Sequence, residues 1–232
     1  MLTANKIPAE RSLNEPICRE CARFPLSDDG FPFGILDSGL QTSHLVLSQL
    51  QPHFIFNVLN MIYYMIGKEP NTARRMLDDF SSYLRSNIGV LDSPTPVSLE
   101  AEISHVNLYL RFEQMRYVDR FRVEYDLGAM DFKLPPLTLQ PLVENAVRHG
   151  LFPLDEGGVV RIESAEEPDC YLVRISDNGV GCESEKAARG QSLQAIRSRI
   201  EEMTGGSFSF RSAPGSGASV EIRIPKSSAL SV

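Results

Sequence analysis

The hydrophobic period of this chain changes at Asp92-Ser93-Pro94-Thr95-Pro96, and that change limits the folds open to it. Before the break, apolar residues recur at helical spacing. After it, helical segments alternate with stretches of period two. Between residues 42 and 66, Leu47, Leu50, Phe54, Met61 and Met65 form one helical seam. Gly67 to Asn71 interrupts it with Gly, Pro and Asn. A second helix follows over 72–88, carrying Met76, Leu77, Phe80, Tyr83 and Leu84. A connection this short predicts an antiparallel helical hairpin. Two helices cannot bury both apolar faces alone. Two solutions are open: two chains pair into a four-helix bundle, or the hairpin packs on the rest of its own chain.

The first helix carries a polar stripe. His53, Asn57 and Asn60 lie four and seven residues apart, so they share a helical face within an apolar stretch. Either His53 is a hydrogen-bonded structural residue or it is placed to react. Pro52 precedes it, and proline inside a helix costs roughly 3 kcal/mol. Strain of that kind collects where function uses it.

After the break, Ser98 with Glu102 suggests a capped helix over 98–117, with Ile103, Val106 and Leu110 inward and His105 without an evident partner. Residues 121–127 alternate as a half-buried strand. Leu134-Pro135-Pro136-Leu137 predicts a helix with proline in its first turn, running to His149 and ending at Gly150. Its end holds a polar set. Glu144 and Arg148 suit an i,i+4 salt bridge, whereas Asn145 sits among core positions. Strands follow over 159–163 and 171–176, the second running into Asp177-Asn178-Gly179-Val180-Gly181. That loop is either an ordinary turn or a place where backbone approaches a ligand. Residues 183–189 have the composition of a mobile loop over a site. Gly190-Gln191-Ser192-Leu193 then opens a helix, a plausible phosphate seat because a helix N-terminus offers free N–H groups. Two alternating strands, 207–211 and 219–224, flank Gly215-Ser216-Gly217 and predict a hairpin.

Composition excludes several classes. The chain has 232 residues and a net charge of −7, which argues against binding nucleic acid through general electrostatics. No stretch resembles a membrane span or a signal peptide, and four cysteines do not make a disulfide scaffold. A cytoplasmic location is expected. Cys18-x-x-Cys21 lacks further nearby ligands for a structural zinc.

Four motifs in order carry a resemblance. They are Pro52-His53-Phe54-Ile55-Phe56-Asn57, the segment from Leu142 to Gly150 centred on Glu144-Asn145, Asp177-Asn178-Gly179-Val180-Gly181, and Gly215-Ser216-Gly217-Ala218-Ser219-Val220. The chain resembles the catalytic core of LytS-type sensor histidine kinases, with a GHKL-type ATPase domain. The resemblance implies an α+β fold. Residues 1–40 would be an irregular segment or linker, 41–92 a dimerising phosphoacceptor hairpin, 97–226 an ATP-binding two-layer α/β sandwich, and 227–232 a tail.

The resemblance also implies roles. His53 would take the γ-phosphoryl group of ATP and pass it to an aspartate on a response regulator receiver domain. Asn57 would orient a water that hydrolyses the regulator's phosphoaspartate, and Glu144 would act near the nucleophile. Asn145 would ligate Mg²⁺. Arg148, His149, Gly179, Gly181, Gly190, Ser192, Leu193, Gly215 and Gly217 would surround the nucleotide. Asp177 would accept from the adenine amino group. Two departures stand out. Phe54 occupies the place where many such kinases carry an acid, and Ser192 replaces a glycine. If that position needs positive φ, serine costs on the order of 1 kcal/mol. The alternatives are a scaffold with a degenerate nucleotide site, an ATPase that phosphorylates no histidine, or a protein-serine kinase.

Overall fold

A computed structural model describes residues 52–92, 95–117, 120–184 and 190–228. The expectations for residues 1–40, for Cys18 and Cys21, and for most of the 183–189 loop lie outside the described residues.

Helix α1 (Pro52–Lys68) and helix α2 (Pro70–Asp92) are joined by Glu69 alone. Gly67 therefore stays helical, and the break expected over 67–71 shrinks to one residue. Pro70 makes this possible, because its missing N–H and fixed φ suit a first helical position. Pro52 is the first described residue of α1, so no preceding turn is available to show the strain expected of an interior proline. Phe54 near the start of α1 meets Tyr83 near the end of α2, with ring centroids 5.2 Å apart, which makes the pair antiparallel.

Strand β1 (Val97–Ser98) leads into helix α3 (Leu99–Arg116). Ser98 Oγ accepts from the Ala101 N–H at 3.2 Å, the capping contact its spacing suggested. Strand β2 (Phe121–Leu127) has the limits its alternation predicts. Strand β3 (Lys133–Leu134) pairs antiparallel with β1. The next helix starts later than the prolines suggested. Pro135 and Pro136 lie in a loop ahead of helix α4 (Leu139–Asn145), and Pro141 occupies its first turn instead. A π turn (Ala146–Leu151) continues α4 through Gly150, which is therefore not a helix stop.

Strands β4 (Gly158–Glu166) and β5 (Cys170–Asp177), helix α5 (Gln191–Thr204), and strands β6 (Ser207–Ser212) and β7 (Ala218–Pro225) complete the order. The sheet runs β2-β4-β5-β7-β6, parallel between β2 and β4 and antiparallel elsewhere. Helices α4 and α5 cover one face. Val160, Ile162, Val173, Ile175, Ile222 and Ile224 point into that layer and are buried. The other face carries a charged ladder, with Arg161–Glu124 at 2.7 Å, Arg174–Glu221 at 2.9 Å and Arg223–Glu221 at 3.0 Å. Exposed pairs of this kind add little stability, but they keep the open face solvated. The result is the expected two-layer α/β sandwich.

The hairpin packs on its own chain. Phe54 reaches Tyr109 and Phe112 of α3 at centroid distances of 5.3 and 6.2 Å. Val58, Ile62, Met65, Met76 and Phe80 share the same buried cluster. Yet Phe56, Leu59, Tyr63 and Ile66 remain 43–80% exposed on the outer side of α1. Their 3-4-3 spacing is a second apolar seam that the first seam masked in the sequence.

Glu102 of α3 fixes the start of α4. Its buried carboxylate accepts from the N–H groups of Leu137, Thr138 and Leu139 at 2.7, 2.8 and 2.8 Å. Leu137, at φ 54°, turns the chain so that these three N–H groups converge. Burial pushes the Glu102 pKa up, and the three donors work against that shift. Glu102→Ala strands three buried donors, so unfolding free energy should fall by roughly 3 kcal/mol, about 10 °C in melting temperature for a chain of this size. Thermal denaturation followed by circular dichroism checks this.

Candidate functional site

A cleft of about 370 Å³ opens between α4, the π turn, α5 and the ends of β5 and β7. Its walls are mostly apolar, including Leu142, Ile175, Leu193, Phe210 and Val220. Asn145, His149, Asp177 and Ser192 supply side-chain polar groups. An apolar slot with a few placed polar groups is the usual form of a small-molecule site.

The helix that carries the polar set splits it by face. Asn145 and His149, four residues apart, line the cleft. Glu144 and Arg148 lie outside it and form the i,i+4 ion pair that their spacing suggested, at 3.4 Å. Burial pushes the Glu144 carboxyl up, and Arg148 pulls it back down. Glu144 stands close enough to Tyr83 and Tyr109 for its charge to raise both phenols, so it faces the boundary between hairpin and sandwich.

Asp177 ends β5 at the cleft. Its Oδ1 accepts from the Gly179 N–H at 2.9 Å, and burial pushes its pKa up against the N–H bonds of Gly179 and Ala218. The glycines after it serve close backbone packing. A Cβ on Gly179 would come within 2.2 Å of the Gly150 carbonyl oxygen. The wider π turn lets Gly150 pass this closely, and the Gly150 oxygen accepts from Val180 at 3.0 Å. Gly181, at φ 61°, lines the cleft and leaves no room for a Cβ beside the Ala213 oxygen. Gly215 and Gly217 do not line the cleft. They pin the β6–β7 turn to this loop through Gly215 N–H to Val180 O, 2.6 Å, and Gly217 N–H to Gly179 O, 3.0 Å.

Gly190 caps α5 in extended geometry without a side-chain bond. Ser192 is the second residue of that helix, and Leu137 is the one described non-glycine residue at positive φ. The backbone strain expected of Ser192 is therefore absent. Gly190, Ser192 and Leu193 line the cleft, so the start of α5 opens onto it.

His53 is exposed on α1, and Asn57 is buried beside it, with Asn57 Nδ2 3.2 Å from Nδ1 and 3.3 Å from Nε2 of the ring. The structure thus brings together Asn145, His149, Asp177, Gly181, Gly190, Ser192 and Leu193, and holds His53 with Asn57 apart on the hairpin. Sequence reasoning missed Glu113, Tyr109, Gln140 and Tyr83, which lie where hairpin and sandwich meet. The regular spacing of Tyr109 and Glu113 on α3 could have marked them.

This arrangement defines a class. A helical hairpin bearing an exposed histidine is joined to a two-layer nucleotide-binding ATPase domain, as in the catalytic core of a sensor histidine kinase. Residues 42–121 match the family described as histidine kinase, and residues 134–228 match the histidine kinase-, DNA gyrase B- and HSP90-like ATPases. The Bacillus subtilis protein YwpD is 34% identical over 76% of this chain and 67% of its own length. Sensor histidine kinase YpdA of Escherichia coli is 36% identical over 66% of this chain and 27% of its own. The sensor protein LytS of Streptococcus agalactiae is 33% identical over 77% and 33%. The chain belongs to the histidine kinase family. It spans about a third of the named sensor kinases it matches. Among the described residues, no helix is long and apolar enough to cross a membrane.

Glu113 on α3 is 4% exposed, and its Oε2 and the Tyr109 hydroxyl both lack a hydrogen-bond partner. Burial pushes its pKa from 4.5 to about 7, with Arg116 and Arg148 opposing and Glu144 adding to the rise. The fold therefore holds a proton that the unfolded chain has lost, and stability falls as pH rises from about 4.5 to 7. Glu113→Gln removes that loss. The variant should exceed the parent by about 3 kcal/mol at pH 8 and match it near pH 4.5, as read by denaturant unfolding at the two pH values.

Proposed function

We propose that this chain is the catalytic core of a LytS-type two-component kinase that transfers the γ-phosphoryl group of ATP to His53. The carrying observation is the pairing of an exposed histidine on the hairpin with an apolar cleft holding Asp177, Asn145 and an uncapped helix start. Asp177 selects adenine by accepting from its amino group, while Ile175 and Val220 cover the ring. The first turn of α5, with Ser192, takes the phosphates. Transfer forms a bond from a His53 ring nitrogen to the γ-phosphorus and breaks the bond to the leaving ADP oxygen. The unprotonated ring nitrogen attacks, and the ring proton leaves from the other nitrogen. Phe54 is buried and cannot take it. Glu144, whose burial favours the proton, is the carboxylate at the hairpin boundary, and we assign it that role.

Mg²⁺ fits the site in one way. No described group of three or more acidic, His or Cys residues would hold an ion, so the metal would rest on the nucleotide phosphates with the Asn145 amide oxygen. It supplies neutralisation of phosphate charge.

The phosphoryl group passes next to an aspartate of a response regulator receiver domain, in the cytoplasm where ATP is supplied. Asn57, already seated against the His53 ring, orients water for hydrolysis of that phosphoaspartate. The outer seam of Phe56, Leu59, Tyr63 and Ile66 pairs two hairpins into a four-helix bundle, so the working unit is a homodimer. Intact Asn145 and Asp177 in the cleft, and unstrained Ser192, favour this reading over a scaffold with a degenerate site.

Incubation with Mg²⁺ and ATP labelled on the γ-phosphate should give an acid-labile, alkali-stable phosphoprotein. His53→Gln and Asn145→Ala should each reduce it at least about 100-fold; label surviving in His53→Gln would reassign the acceptor. Separately, Leu59→Lys with Tyr63→Lys should convert a dimer to a monomer in light scattering. An unchanged mass would place the dimer contact elsewhere.

A further inference from the structure

One buried polar chain has no part in the chemistry above. His105 of α3, Gln140 of α4 and Tyr83 of α2 meet where three helices converge. His105 Nε2 lies 2.5 Å from Gln140 Oε1, and Gln140 Nε2 donates to the Tyr83 hydroxyl at 2.6 Å. The Tyr83 ring stacks on the His105 ring, with centroids 5.1 Å apart and planes 3° from parallel. All three residues are buried.

With the Gln140 amide oxygen facing His105, donor and acceptor chemistry orders this chain. The Gln140 oxygen can only accept, so His105 Nε2 carries the proton. Burial lowers the His105 pKa, which suits a neutral ring there. The amide nitrogen is left to face Tyr83, whose phenol is likewise held protonated by burial. Water does not compete at such a site, so the contact keeps its geometry.

Its location gives the chain its meaning. Gln140 precedes the cleft residue Asn145 by five positions on α4. Tyr83 touches Phe54, the residue after His53, at a centroid distance of 5.2 Å. Contacts therefore run without a gap from the phosphoacceptor turn, through Phe54 and Tyr83, to Gln140 and the helix that lines the cleft. Apart from an exposed Arg111–Asp79 ion pair, which adds little in water, the other side-chain contacts between hairpin and sandwich are mainly aromatic and apolar, such as Phe54 on Tyr109, and apolar surfaces slide more readily than a paired amide.

We propose that Gln140 is a positioning residue for phosphoryl transfer: through Tyr83 and His105 it fixes the hairpin's register against the nucleotide helix. This rests on the kinase reading above. It holds for acceptance by the same chain or by its partner, because each hairpin's seat on its own sandwich sets where cleft and bundle stand. In-line transfer needs reacting atoms within about 3–3.5 Å, and a misplacement of about 1 Å can cost on the order of 100-fold.

Tyr83→Phe keeps the ring and its stack and removes the hydroxyl. Gln140→Leu removes both hydrogen bonds. In each, kcat for autophosphorylation at saturating ATP should fall at least about tenfold while KM for ATP stays within about twofold. The double variant should be no slower than Gln140→Leu, since the bond that Tyr83→Phe removes is already lost in it. It also leaves no orphaned amide, so it serves if Tyr83→Phe does not fold. An unchanged or raised kcat overturns the proposal, as does a loss in which KM rises in step. Parent protein that forms no phosphohistidine would instead overturn the kinase reading, and the inference with it.

Discussion

The site depends on helix α4 being held at both ends. At its start, one carboxylate from α3 takes three backbone N–H groups that the helix itself cannot use. Burying that charge is costly, and it is tolerated because the donors converge on it and the helix dipole favours it. At its end, the helix loosens into a π turn so that Gly150 can lie against the Asp177–Gly179 loop. A regular helix would carry Gly150 away from that loop and leave Asp177 without its neighbour. The cleft is thus the space between one helix and one loop, and each is pinned by contacts outside the cleft.

The same helix divides two tasks between its faces. Asn145 and His149 look into the cleft, while Glu144 and Arg148 look toward the hairpin. Cleft and hairpin are therefore met by adjacent residues on one rigid element. The carboxyl pair of Glu113 and Glu144 sits at that boundary among Tyr83, Tyr109, Arg116 and Arg148, and burial favours the protonated form of both acids. Burial that raises the proton affinity of an ionised Glu144 makes it a better proton acceptor.

Much of this was legible in the sequence because it is written locally. Strand β2 announced its limits by alternation, and Ser98 announced its cap. The glycines of the Asp177 loop marked either a turn or a ligand contact, and their demands are steric and short-range. The hairpin was legible only in part. Its inner seam was visible, and the choice between packing on its own chain and pairing with another was left open. Both faces turned out to be apolar, one spent inside the chain and one left outside. Phe56, Leu59, Tyr63 and Ile66 were hidden because two apolar seams on one helix blur each other's period. Contacts between distant positions were not legible at all. Glu102 reads as an ordinary first-turn acid, His105 as an isolated histidine, and Gln140 as a polar residue in a helix. Only the fold brings them together. The helix start was misplaced for a related reason: Pro135 and Pro136 suited a first turn, but the turn at Leu137 and the grip of Glu102 moved that start to Leu139.

The central claim is that His53, standing on the docked hairpin, is where the nucleotide's phosphoryl group goes. Phosphorus NMR of the protein incubated with Mg²⁺ and ATP tests it most directly, because a phosphorus–nitrogen bond and a phosphate ester resonate apart. The account predicts one phosphoramidate signal, absent from His53→Gln. A phosphate-ester signal, or a phosphoramidate that persists in His53→Gln, would contradict it.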